Sequence, residues 1–140
     1  MAIIGTLIAF VIGQIILVFV INPIKEQRNI ISQISETFIL YGNKLYRQDN
    51  QTIEDQMPVH DSFRLLASKL EAASINILWY GLWASCKIVK PMNVITDVRG
   101  RLIRISNLCF ETIKELNQHG ERGYQNDDVD KIKELLDIKV

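Results

Sequence analysis

The sequence predicts an all-α protein: an N-terminal transmembrane helix followed by a small three- to four-helix bundle. Three observations lead there. From Ala2 to Ile21 there is no charged residue and no proline, and Thr6 and Gln14 are the only clearly polar side chains. About 20 residues of α-helix, rising ~1.5 Å each, cross a ~30 Å hydrocarbon core. Beyond Asn22, apolar residues recur at spacings of three and four, the helical period, and no run reads as a strand.

Residues 1–22 are therefore expected to form a retained membrane anchor. A cleaved signal has a basic start, a shorter apolar run and a small-residue cleavage site. Here no Lys or Arg precedes the run, which ends in Phe19-Val20-Ile21-Asn22-Pro23. Lys25 and Arg28 follow the span at once, so the positive-inside rule puts the C-terminal body in the cytoplasm and the N-terminus outside, across an inner membrane. Gly5, Ala9 and Gly13, four residues apart, form a small-residue face that lets a second helix approach closely, and Gln14 beside it offers an amide for a bond across the pair.

Residues 23–140 suffice for one small domain. A first helix, about 23–46, is expected to open at Asn22-Pro23, with Ile30, Ile34, Phe38, Tyr41 and Leu45 on one stripe. A kinked continuation of the anchor through Pro23 is the alternative, since proline removes one backbone donor. A second helix, about 59–85, starts after Pro58 with Asp61 as cap. Its residues Phe63, Leu66, Leu70, Ala73 and Ile77 are spaced like an antiparallel bundle seam. The third, about 92–119, carries Ile95, Val98, Leu102, Ile105, Cys109 and Leu116, with Ile113 beside them and Gly120 after its end. A short last helix, about 127–138, begins at Asp127 or Asp128, whose carboxylates suit a helix N-terminus, and turns Val129, Ile132, Leu135 and Leu136 inward.

Lengths and charges suggest an orientation. A first helix climbing from the bilayer and an antiparallel second one return the chain, near Trp79 to Pro91, to headgroup level. Trp79, Tyr80 and Trp83 suit that level, and Lys87 and Lys90 follow them. Residues 49–62 hold Asp49, Glu54, Asp55 and Asp61 without a base; residues 87–104 hold Lys87, Lys90, Arg99, Arg101 and Arg104 against Asp97. An acidic far loop and a basic near turn fit an anionic inner leaflet. The same residues also fit an aromatic core and a solvated helix face, or a site for a partner.

No catalytic constellation is visible. Gly100, Gly120 and Gly123 are isolated, so no phosphate loop is expected. His60 and His119 have carboxylates nearby, Asp61 and Glu115, without metal-ligand spacing, and Cys86 and Cys109 are expected to be reduced, buried thiols. With 16 basic and 16 acidic residues the chain offers no bulk attraction to nucleic acid. No enzyme activity, cofactor, metal or small-molecule substrate is expected.

The junction Phe19-Val20-Ile21-Asn22-Pro23-Ile24-Lys25-Glu26-Gln27-Arg28, together with Leu65-Leu66-Ala67-Ser68-Lys69-Leu70 and Ile77 to Tyr80, resembles a recurring pattern in a functionally uncharacterised group of small bacterial single-span membrane proteins. The resemblance implies a bacterial source and a cytoplasmic helical body, and no activity. The expectation is a membrane-tethered interaction or scaffold module that binds a membrane or cytoplasmic partner or a copy of itself. The alternative is an oligomeric, membrane-perturbing effector of a stress or phage-defence system.

Overall fold

The computed structural model describes residues 2–45, 52–111, 115, 118 and 121–138. In chain order the elements are α1 (Ala2–Ile16), a π-helical turn (Leu17–Ile21), α2 (Asn22–Tyr41) closed by a 3-10 turn (Gly42–Lys44), α3 (Ile53–Ile75), α4 (Tyr80–Ser85), α5 (Met92–Leu108) and α6 (Glu121–Leu136). The fold is all-α, and no strand occurs among the described residues.

α1, the π-turn and α2 form one helix, unbroken over Ile3–Lys44, and its apolar part is long enough to cross a membrane. Pro23 explains the π-turn. A proline inside a helix has no N–H for the carbonyl four residues back, and its ring collides with that carbonyl. Here the preceding turn widens, with the Asn22 N–H reaching back to the Leu17 carbonyl, and Ile21 and Asn22 keep helical backbone angles throughout.

The bundle runs up, down, up and down. Phe38 of α2 meets Phe63 of α3 with ring centroids 5.6 Å apart, while Gln27 meets Ser74 at the other end of the same pair. Arg99 of α5 meets Glu71 of α3, and Arg101 of α5 meets Asp128 of α6. The core is made by the expected stripes: Ile30, Ile34 and Phe38 from α2, Phe63, Leu66, Leu70 and Ala73 from α3, Ile95, Val98, Leu102 and Ile105 from α5, and Ile132 and Leu136 from α6. Deep burial of such side chains contributes ~1.5–3 kcal/mol each before entropy is counted.

Several helix ends differ from expectation. α3 starts at Ile53, upstream of Pro58. Thr52 caps it: its hydroxyl accepts from the Asp55 N–H at 3.4 Å, and the Asp55 carboxylate accepts from the Thr52 N–H at 2.9 Å. These bonds hold the Asp55 carboxyl below its usual pKa. The reciprocal cap outweighs the proline, which sits within the helix. α3 also ends earlier, at Ile75: the Ile77 N–H turns onto the Ser74 carbonyl, the Leu78 N–H leaves the helix for the Phe19 carbonyl, and Trp79 then takes a left-handed backbone with φ of 56°. α5 stops at Leu108 rather than near 119. The Phe110 and Glu111 N–H groups close tighter turns onto the Asn107 and Leu108 carbonyls, and the Phe110 ring leaves to stack on His60, 4.7 Å away. The expected residues Tyr46, Ile113, Leu116, His119 and Gly120 lie outside the described set.

The largest correction concerns Asp128. α6 begins at Glu121, so Asp128 lies within the helix and caps nothing. Its carboxylate is fully buried and accepts from Arg101 at 2.7 Å and from Arg104 at 2.6 Å. Two guanidinium partners make burial of that charge tolerable. Asp128→Ala is expected to lower unfolding stability by about 2–3 kcal/mol, because two guanidinium groups lose their anion at the α5–α6 seam. Replacing all three residues with apolar ones of similar volume is expected to recover most of it. Thermal melts of the detergent-solubilised chain followed by circular dichroism would check both.

Candidate functional site

Where α2 emerges from the apolar segment, the chain between α3 and α5 folds back against it. A separate small core forms there from Val20, Ile24, Ile77 and Val89, with Tyr80, Trp83 and Ala84 packed on it. The Leu78 N–H donates to the Phe19 carbonyl at 3.3 Å. That carbonyl is the one Pro23 cannot serve, so a distant backbone donor completes what the proline leaves open.

A buried polar relay lies beside this contact. The Gln27 side-chain amide donates to the Ser74 hydroxyl at 2.7 Å and to the Tyr80 hydroxyl at 3.1 Å. The Ser74 hydroxyl donates on to the Leu70 carbonyl, and the Tyr80 hydroxyl to the Lys90 carbonyl. Gln27 is 1% exposed, and its amide is satisfied by groups from both sides of the turn. Outside, Arg28 donates to the Ile88 carbonyl at 3.1 Å.

The three aromatic residues of the turn separate. Trp79 is 67% exposed. Tyr80 directs its hydroxyl into the relay. Trp83 is half-buried and donates its indole N–H to the Leu78 carbonyl at 3.0 Å. Ile75, Leu78 and Leu82 are exposed with Trp79, which leaves an apolar rim beside the end of the membrane-length helix. α4 closes with a six-to-one bond from Ile88 N–H to the Trp83 carbonyl and a bond from Lys87 N–H to the Ala84 carbonyl, both 3.0 Å. This closing motif puts Lys87 in a left-handed backbone, φ 57°, a place that glycine fills without strain. The described non-glycine residues with positive φ are Trp79, Lys87 and Asp137. All three gather at this end of the bundle, Asp137 through its ion pair with Lys90. Each left-handed residue costs ~1–2 kcal/mol.

The basic stretch 87–104 is largely neutralised inside the fold. Lys90 pairs with Asp137, Arg99 with Glu71 at 2.9 Å, Arg101 with Asp97 at 3.0 Å and with Asp128, and Arg104 with Asp128. Among the described residues, Lys87 is the member of that set with no carboxylate partner. The expected basic near turn thus narrows to Lys87, with Lys25 and Arg28 on α2. Arg28, Lys87 and Lys90, with Asp137 and Gln27, line a cavity of about 470 Å³ whose apolar lining includes Ile31 and Leu136.

Two further surfaces are open. Along α1, Gly5, Ala9, Gly13 and Gln14 are exposed, and a Cβ added at Gly5 or Gly13 would meet nothing within 4 Å. On the α2–α3 face, away from the anchor, Ile39, Leu40 and Leu65 border a groove of about 550 Å³ flanked by Glu36 and Lys69. No group of three or more His, Cys, Asp or Glu converges among the described residues. The His60 imidazole Nδ1 lies 3.0 Å from the Asp61 carboxylate.

The two cysteines differ, contrary to expectation: Cys86 is exposed in the turn, whereas Cys109 is buried and donates to the Ile105 carbonyl at 3.2 Å. Burial pushes the Cys109 thiol from 9.0 up to about 12. Its thiolate therefore forms in the unfolded chain first, and its contribution to stability fades as pH rises between those values. A maleimide at mildly alkaline pH is expected to label Cys86 rapidly and Cys109 only on unfolding. Equal labelling of both in the native chain would contradict this packing. Pro23→Ala gives the Phe19 carbonyl a donor within its own helix, in competition with Leu78. The Leu78 amide is then expected to exchange with deuterium about tenfold faster while α5 core amides stay unchanged.

Comparison with known protein families, with curated proteins and with solved structures finds no match to this chain, so the function has to be read from the geometry of these surfaces.

Proposed function

We propose that this chain is a membrane-tethered helical interaction module: a single span in the inner membrane of a bacterium, N-terminus outside, with a cytoplasmic body held against the bilayer surface. The observation that carries the reading is the Leu78–Phe19 bond and the small core around Val20 and Ile77. They fasten the body to the long helix where its apolar part ends, whereas a tether on a loose linker would leave the body free to tumble. The exposed rim of Ile75, Leu78, Trp79 and Leu82 is continuous with that helix end and suits the interfacial layer. Lys25 and Arg28 directly after the span support the cytoplasmic placement. A body so held presents the α2–α3 groove at the far end, where Leu40 is 70% exposed, to a protein partner or to a second copy.

The open Gly5/Ala9/Gly13 face with Gln14 supports a second reading, an oligomeric membrane effector. Photo-crosslinking residues placed one at a time at Leu40, Leu65, Gly13 and Leu82 in native membranes separate the readings. The module is expected to give protein adducts from Leu40 and Leu65 and lipid adducts from Leu82. Adducts confined to Gly13, at multiples of the chain's mass, would favour the effector. No protein adduct from any position would sink both.

A further inference from the structure

The cavity at the foot of the bundle has a chemistry of its own. Of its charged residues, Lys90 and Asp137 satisfy one another. Arg28 and Lys87 are left as an uncompensated pair of cations facing one concavity. Arg28 spends one of its five N–H donors on the Ile88 carbonyl, and Lys87 has three ammonium donors. Apolar side chains, Ile31, Ile88, Val89 and Leu136, complete the lining. Such a mixture takes an anion that is small, rich in acceptor oxygens and attached to apolar material.

Height decides which anion that is. Arg28 stands seven residues past Ile21, roughly 10 Å along the continuous helix. The headgroup layer on each side of the hydrocarbon is about 5–8 Å thick, and an arginine side chain bends several ångströms back toward it. The cavity therefore opens at the level of lipid phosphates. Lys87 is held there in a left-handed position that a glycine would occupy more easily. Its charge is thus presented at the expense of backbone comfort, a pattern found where a side chain serves a site.

We infer that this cavity is a binding site for the phosphate of an anionic lipid headgroup, gripped by Arg28 and Lys87. The inference rests on the reading of the body as docked at the bilayer.

The test uses the full chain in phosphatidylcholine vesicles. The only tryptophans, Trp79 and Trp83, both lie in the turn beside the cavity, so bromine on a nearby lipid quenches their fluorescence selectively. Brominated phosphatidylglycerol is compared with brominated phosphatidylcholine at the same small mole fraction. Phosphatidylglycerol is expected to be enriched around the turn on the order of tenfold, and Lys87→Gly to cut that preference about fivefold. Lys87→Gly relieves the left-handed backbone, so its helicity and melting temperature are expected to match or exceed those of the unaltered chain. Arg28→Gln supplies an independent second loss.

Equal quenching by the two lipids, or a preference unchanged in both variants, would overturn the assignment. So would a preference abolished by inorganic phosphate but not by sulfate at matched ionic strength, which would assign the cavity to soluble phosphate. A chain that fails to float with the vesicles at all would instead overturn the membrane reading, a result that flotation distinguishes from loss of lipid preference.

Discussion

One backbone carbonyl organises this molecule. Pro23 has no N–H for the Phe19 carbonyl, four residues before it at the end of the apolar run. A backbone carbonyl deprived of its helical donor needs another partner. The widened turn at Leu17–Ile21 relieves the ring clash, and the Leu78 N–H supplies the missing donor. Leu78 reaches it at the point where α3 has descended along α2, one residue before the chain turns at Trp79. The left-handed tryptophan and the small core around Val20 and Ile77 adjoin that bond, at the end of the antiparallel α2–α3 pair.

A second level of order is electrostatic and lies within the bundle. Arg101 and Arg104 converge on Asp128, a carboxylate withdrawn from solvent, and Lys90 closes on Asp137. These pairs fix α6 along α5 at two heights. They also remove most of the basic surface that the composition of residues 87–104 suggests. What remains outside is a narrow set of cations, Lys25, Arg28 and Lys87, at one end of the body.

Much of the fold was legible because helical burial is periodic. Ile30, Ile34 and Phe38, then Phe63, Leu66, Leu70 and Ala73, then Ile95, Val98, Leu102 and Ile105 are at once the stripes of the sequence and the walls of the core. The start of α3 was legible too, in Thr52 and Asp55 three residues apart, but Pro58 is the louder signal and points downstream. The role of Asp128 was not legible. A carboxylate near a helix start and one buried within a helix look alike in one dimension, and its partners lie more than twenty residues away. The aromatic run at 79–83 carried composition without direction. Which ring faces out depends on Trp79 entering the left-handed region, and no spacing rule encodes that. The foot cavity was legible only in part: Lys87 and Lys90 stood out as a near turn and Arg28 as a flank of the span, while nothing in the spacing tied Arg28 and Gln27 to that turn.

In the proposed single-span placement, the unbroken passage from α1 into α2 makes the protein a lever. A span accommodates a thin bilayer by tilting, commonly by about 20°. With a flexible hinge at residue 22 that tilt would be lost to the linker. Here α2 continues the axis for 20 residues, about 30 Å, and the bundle is packed along it. A tilt of about 20° thus displaces the far end of the body by roughly 10 Å, the width of a helix. In that placement, bilayer thickness is converted into the sideways position of Ile39 and Leu40 at the far end of the body.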